Sequence, residues 1–403
     1  MSHQLNSNSN QNLDSNIIKL TIIKASKWLM LFMPIIWLFY AENGLSISDL
    51  FIIQGIYSLV IAIIEIPSGY LADVMGRKKS IILGTLFGLL GMTAYSLSYG
   101  FSGFLLAALC LGIGQSFISG SDTALMYDSL VKLKRQNEFI KLEGRIVSAG
   151  NIAEASAFVI GGLLAEISLR TPFYAQVFIA LIGFLTALLL VEPKMEEGQL
   201  GKKNAWSNIK SIIQFAIIKN KTLRHYLLYS AIIGAATLSI AWFSQPLYVS
   251  IGIESAFYFG VIGAILNLIV AVVSFYAYKI EYRFKTSNIL LAILMLIMGC
   301  YFLLGFYDSQ WVLIFLGVFY IARGVATPVL RDYMNRHTPS NMRATVMSLR
   351  SFVTRIIFSV ISPGFGVVAD LYSIQQALML GSVIFLILSM TSFVYLFRLE
   401  RSC

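Results

Sequence analysis

Twelve apolar runs of about twenty residues each dominate the chain. They fall near 20–40, 49–72, 79–98, 102–128, 145–166, 173–191, 224–250, 256–280, 288–307, 310–331, 344–369 and 374–396. A run of that length, wound as a helix, crosses the hydrocarbon of a bilayer and satisfies its own backbone on the way. Only 12% of the 403 residues are charged and 57% are hydrophobic. Soluble domains carry about 25% charged residues, so this chain has too little polar surface to be solvated throughout. The expectation is an all-α integral membrane protein with twelve transmembrane helices.

The charges between the runs test that count. Every Lys and Arg except Arg170, Arg323, Arg350 and Arg355 lies in or beside one set of segments. That set comprises the two chain ends and the loops after spans two, four, six, eight and ten. The positive-inside rule then places both termini in the cytoplasm. The net charge of +10 is thereby a topology signal, with attraction to anionic membrane lipid as a by-product, and no nucleic-acid partner is expected.

Residues 1–16, "MSHQLNSNSNQNLDSN", are Asn/Ser-rich and lack the basic region and cleavage site of a signal peptide. They are expected to be a disordered cytoplasmic tail. His3 there stands alone, and Cys110, Cys300 and Cys403 show no ligand spacing, so no metal, cofactor or disulfide is expected. Residues 17–191 are expected to form one six-helix bundle and residues 224–403 a second bundle with a short tail. Residues 192–223 form a polar linker between them. Within it Trp206, Ile209, Ile213 and Ile217 recur at helical spacing opposite Ser207, Lys210 and Gln214, which suits either an interfacial helix or a soluble linker helix.

The halves echo one another. "GSDTALMYD" in span four matches "GVATPVLRD" in span ten, and "GLLAE" in span five matches "GVVAD" in span eleven. The offset is six spans in both cases, so an internal duplication is expected. Two related halves about a midplane site are a common plan among secondary transporters.

Between spans two and three lies "EIPSGYLADVMGRKKS", Glu65 to Ser80. Its core, Gly69, Leu71, Ala72, Asp73, Gly76, Arg77 and Lys78, resembles the loop between helices two and three of the major facilitator superfamily, with Val74 where Arg is usual. The resemblance implies that fold, two pseudo-symmetric six-helix bundles, over essentially the whole chain. It also implies gating roles for Gly69, Asp73, Gly76, Arg77 and Lys78. Gly69 would permit close helix approach and Gly76 a turn with positive φ. Asp73 would meet the N-terminus of helix eleven, near "SNMRAT", and Arg77 would pair with Asp128 at the foot of helix four. A topology anchor alone is the blander reading.

The chain departs from two family signatures, with Ala108 where helix four often carries Arg and "AFVIGG" where drug/proton antiporters carry a Gly-Pro motif. "EIPSG", "SGSDTALMYDSL" and "RATVMS" resemble bacterial members mostly assigned to drug or small-molecule efflux. The resemblance therefore implies the bacterial cytoplasmic (inner) membrane, a small-molecule substrate, no enzymatic activity and a monomer.

Ionisable residues inside a bilayer cost at least a few kcal/mol unless paired or hydrated. Spans three, six, nine and twelve have none in their interiors. Glu65, Asp122, Glu154, Arg323, Arg350 and Arg355 fall on spans two, four, five, ten and eleven. Gln115, Ser119 and Asp122 would share one face of helix four, and Arg323 and Thr327 one face of helix ten. Trp242, Gln245 and Asn267 complete the polar and aromatic set for an amphipathic substrate.

Three readings stay open. Asp122 or Glu154, with Glu65 as a lesser candidate, carries a coupling proton. Arg323 and Arg355 bind an anionic metabolite or metal chelate, making the protein an importer. Or these charges pair internally, Arg355 with Glu154 for example. The first corresponds to proton-coupled efflux. His225 and His337 sit at helix ends, where capping is expected, and no nucleophile–base set or phosphate loop suggests an enzyme.

Overall fold

The computed structural model describes residues 2–193, 211–339 and 342–401. Among these residues, twelve helices are long and apolar enough to cross a membrane. They are α1 (Leu13–Glu42), α2 (Ile47–Met75), α3 (Arg77–Leu97), α4 (Phe101–Lys132), α5 (Gln136–Ala165) and α6 (Thr171–Leu188), then α7 (Lys221–Ser250), α8 (Ala256–Ile280), α9 (Thr286–Phe306), α10 (Trp311–Arg336), α11 (Arg343–Leu371) and α12 (Ile374–Leu399). No strand occurs among the described residues.

Two compact units form. Unit 1 holds Met1–Leu45, Ile56–Leu200 and Ser255–Ala264; unit 2 holds Ser46–Gly55, Gly201–Glu254 and Ile265–Cys403. The expected boundary at the linker is crossed twice, because the first turns of α2 and α8 pack with the unit of opposite sequence. The cause is local. Gly162 of α5 lies against the α8 backbone, where an added Cβ would stand 3.0 Å from Ala256 O, and at Gly366 of α11 it would stand 2.7 Å from Ser48 Cα. These are the first residues of the echoed "GLLAE" and "GVVAD" segments.

In lipid, helix association depends on packing and interhelical hydrogen bonds rather than on water exclusion. Unit 1 has two packed zones. One gathers Leu20, Ile23, Ile81, Leu125, Met126, Leu130, Leu142, Ile146, Ala187 and Leu190. The other stacks Phe39, Tyr40, Tyr95, Phe104 and Phe173, with the Tyr40 and Tyr95 hydroxyls 2.6 Å apart. Ser68 Oγ donates to Ser116 O at 2.8 Å and Ser80 Oγ to Phe117 O at 2.7 Å. Unit 2 uses the same chemistry: Tyr229 Oη donates to Leu290 O at 2.7 Å, and the Ser239 and Ser362 hydroxyls meet at 2.8 Å.

Two expectations are corrected, and a third falls largely outside the described residues. The expected disordered tail is helical over its described residues, since Ser2–Trp28 form one helix. Buried Asn16 explains the ordered approach to the membrane: its Nδ2 donates to Ser129 Oγ and Val191 O, and its Oδ1 accepts from Val191 N. The fifth helix begins well before residue 145, since Phe139–Ala165 are continuous α-helix. The expected linker helix falls largely on residues 194–210, outside the described residues. Ahead of α7 stand a π-helical turn, Phe215–Lys219, and Asn220, whose Oδ1 caps α7 by accepting from Leu223 N at 2.9 Å.

Candidate functional site

Two helices of unit 1 are interrupted. α1 leaves helical geometry after Trp28 and resumes through Met33–Ile35, with Pro34 in the restarting turn. The freed Leu31 amide donates to Gln176 Oε1 at 2.9 Å. α4 breaks at Ser119–Gly120, with Gly120 at φ 79°, and restarts at Ser121. Each break makes a helix end within a span long and apolar enough to cross a membrane, and helix ends carry partial charge. Lys24 stands one turn before the C-terminal end at Trp28, where a cation is stabilised. Asp122 stands in the first turn after Gly120, where an anion is stabilised, and its Oδ1 accepts from Thr123 N at 2.8 Å.

These two residues meet. Lys24 Nζ lies 3.2 Å from Asp122 Oδ2 and 3.7 Å from Glu143 Oε1. Thr123 Oγ1 is within 3.5 Å of both carboxylates. The side chains are 16%, 12% and 25% exposed for Lys24, Asp122 and Glu143. Glu154 lies half-buried on the same face of α5 as Glu143, about three turns further on.

The break at Gly120 overturns one expectation. Gln115, Ser119 and Asp122 do not share a face, because that requires an uninterrupted helix. Ser119 Oγ instead donates to Glu65 Oε1 at 2.9 Å, Asp122 turns to Lys24, and Gln115 remains half-buried on the preceding segment.

At the loop after α2, Arg77 Nε lies 3.2 Å from Asp128 Oδ2, and Arg77 Nη2 lies 3.6 Å from Asp73 Oδ1. Gly76 has φ 98°, a conformation costly for other residues. The turn opens the α3 N-terminus to Glu192, whose carboxylate accepts from Arg77 N at 3.0 Å and Lys78 N at 2.6 Å. Nothing in the sequence marks Glu192 for this role. Gly69 differs from expectation: a Cβ there would meet nothing within 4 Å, so no close helix approach requires glycine.

Unit 2 holds the other candidates. Arg323 lies half-buried in α10, its guanidinium 5.5 Å from the Tyr320 ring centroid. Thr327 is exposed and donates back to Arg323 O at 3.0 Å. Arg355 is half-buried in α11, and Arg350 lies one and a half turns before it. Trp242 and Gln245 on α7 and Asn267 on α8 are half-buried. His337 Nδ1 is 2.8 Å from Tyr333 O, and the His225 ring stacks on Tyr395 with centroids 4.0 Å apart. Both histidines are thus engaged locally. No group of three or more metal-ligating side chains occurs among the described residues.

Interrupted helices with charged side chains at the breaks, set in a twelve-helix membrane protein, define a transporter-like architecture. The sequence profile of the Major Facilitator Superfamily matches residues 26–363. The chain belongs to that superfamily. It is 22% identical over 379 residues to an MFS-type transporter of Methanocaldococcus jannaschii, covering 91% of this chain and 93% of that one. It is 24% identical over 349 residues to the quinolone resistance protein NorA of Staphylococcus aureus, covering 81% and 84%. Among solved structures, a bacterial homolog of the human lysosomal transporter Spinster superposes with TM-score 0.77 at 14% identity, over 96% of this chain and 97% of that one. The nucleoside transporter NupG gives TM-score 0.74 at 14% identity, over 96% and 98%. These superpositions show the fold. The superfamily is one of transporters, and the chain is a multi-pass membrane protein.

Proposed function

We propose that this protein is a secondary active transporter. It moves an amphipathic small molecule across the cytoplasmic membrane by alternating access, coupled to protons and in the direction of efflux. The observation that carries the reading is the Lys24–Asp122–Glu143 cluster between the ends of two interrupted helices. Protonation of one carboxylate leaves Lys24 paired with the other, so the cluster changes net charge by one without stranding a buried ion. Access from one side and then the other would load and unload that proton.

Cytoplasmic termini, argued from the basic loops, place the Arg77–Asp128 contact on the cytoplasmic face. There, with Glu192 on the α3 N-terminus, it acts as a latch that holds one state and yields in the other. Similarity to NorA supports efflux over uptake. The importer reading draws on Arg323 and Arg355, and it shares the membrane, the fold and a monomeric protein with the first.

The test is reconstitution into proteoliposomes with an imposed pH gradient. Two pyrene probes of permanent charge are used, 1-pyrenesulfonate and (1-pyrenemethyl)trimethylammonium. Gradient-driven accumulation of either, collapsed by a proton ionophore and absent from empty liposomes, is expected. Movement indifferent to the gradient would reject proton coupling, and inward-only movement relative to the cytoplasmic face would reject efflux.

A further inference from the structure

Arg323, Arg350 and Arg355 occupy the membrane-spanning part of unit 2, and none forms an ion pair among the described residues. The carboxylates on the described spans of that unit are all engaged elsewhere. Asp49 Oδ2 accepts from Ser46 N and Oγ at 3.0 Å, Asp332 Oδ2 lies 2.6 Å from Arg336 Nε, and Asp370 accepts from Ile47 N and Ser48 N. A guanidinium does not shed its proton to escape such a setting, as a lysine can.

Arg350 is the most tightly held of the three. Its Nε donates to Ser230 Oγ at 2.6 Å, and Ser230 is fully buried on α7. One turn further along α7, the guanidinium lies beside Gly234: a Cβ there would stand in ordinary contact with Arg350 Nη2 at 3.5 Å and would crowd Thr354 Cγ2 at 3.1 Å. The bond through Nε fixes the plane of the group and leaves the Nη fork without a protein acceptor among the described residues. Arg331 of α10 adds a like charge. On the same helix, about 7.5 Å further along, Arg355 Nε is buried and has no hydrogen-bond partner among the described residues.

We propose that Arg350, oriented by Ser230, binds the anionic group of the transported molecule through its Nη fork. The group is a carboxylate, sulfonate or phosphate monoester, and Arg355 is the next cation along the helix. A fork held by its Nε matches the paired oxygens of such groups, and the ligand supplies the charge that the unit lacks. The inference rests on the transporter reading and assigns its substrate class: an amphipathic anion. An anionic lipid head group offers the same oxygens, so the test includes a lipid arm.

The full-length protein in maltoside micelles is titrated by calorimetry with 1-pyrenesulfonate and (1-pyrenemethyl)trimethylammonium, which share an apolar frame and differ in charge. The wild type should bind the sulfonate at least tenfold more tightly. Arg350→Gln should erase that preference, Arg350→Lys should retain part of it, and Ser230→Ala, which frees the guanidinium without removing it, should weaken the sulfonate several-fold. If Arg350→Gln does not fold, the lysine and Ser230→Ala variants carry the same expectation. A wild type without preference for the sulfonate, or a folded Arg350→Gln that keeps it, overturns the proposal.

In nanodiscs, an Arg350-dependent stabilisation by phosphatidylglycerol over phosphatidylcholine, with sulfonate binding unaffected by Arg350→Gln, would assign the site to lipid and also overturn it. Gradient-driven transport of the cationic probe without sulfonate binding would sink this assignment and leave the transporter reading intact. Sulfonate binding with no gradient-driven movement of either probe would do the reverse.

Discussion

Glu166 at the end of α5 and Asp370 at the end of α11 make the same contact. Glu166 Oε1 accepts from Phe257 N at 2.8 Å and Ser255 Oγ at 2.7 Å, at the start of α8. Asp370 accepts from Ile47 N at 3.0 Å and Ser48 N at 2.8 Å, at the start of α2. Both close the echoed segments "GLLAE" and "GVVAD". Glu166 satisfies one amide and a hydroxyl, Asp370 two amides, at a helix start that cannot bond them internally, and each sets a negative charge on the positive end of a helix dipole. Removing the Asp370 carboxylate with Asp370→Ala should therefore cost roughly 1 kcal/mol, as loss of an N-cap does. Thermal melting of the purified variant checks this.

Glu166 adds a pH signature. The Phe257 amide and the Ser255 hydroxyl favour its ionised form and hold its carboxyl below the ordinary glutamate value. A depressed folded-state value stabilises the fold above the unfolded-state value, and that stabilisation is lost as pH falls through the folded-state value. The melting difference between wild type and Glu166→Gln should be constant above pH 4.5, the ordinary value, and should close as the solution is acidified below it. A difference that grows toward acid would refute the sign.

Gly366→Val should be severely destabilising, by about 3 kcal/mol or more, because the new side chain enters the α2 backbone at Ser48. Gly364→Ala, on the same helix with nothing within 4 Å of its added Cβ, should be neutral or stabilising by up to roughly 1 kcal/mol. Expression and melting of the two variants separate a packing requirement from a general intolerance of substitution in α11.

Glu192→Ala should weaken the start of α3 by about 1 kcal/mol, since two amides lose their acceptor. Hydrogen exchange at Arg77 and Lys78 should rise, while exchange at the far end of α3 stays unchanged. Equal exchange in both proteins would show that the cap contributes nothing.

Much of the fold is legible in the sequence because lipid leaves a chain few choices. Apolar run length marks all twelve helices, and loop charge marks their alternation. Arg170, the lone basic residue in the opposite loops, is an exception with a local cause: its guanidinium bonds Ser96 O, Ser98 O and Asn43 Oδ1.

The site is harder to read. Lys24 counts among the topology charges, and Glu143 lies outside an apolar window that opens at residue 145. Neither stands out in the sequence, although Lys24 pairs with both Asp122 and Glu143. Gly120 is visible as part of a repeat but not as a break, since φ is not written in sequence. Arg350 is one buried charge among several, because its partner Ser230 is one of many serines and only the packing of α7 on α11 selects it. Gly69 is the opposite case, a familiar motif residue where an added Cβ meets nothing within 4 Å among the described residues.

The most direct measurement compares gradient-driven uptake with substrate counterflow in proteoliposomes carrying wild type, Asp122→Asn, Glu143→Gln or the double variant. If the Lys24 cluster carries the coupling proton, the double variant exchanges probe by counterflow at near the wild-type rate and no longer accumulates it against a pH gradient. Accumulation by the double variant equal to that of the wild type would contradict the assignment outright.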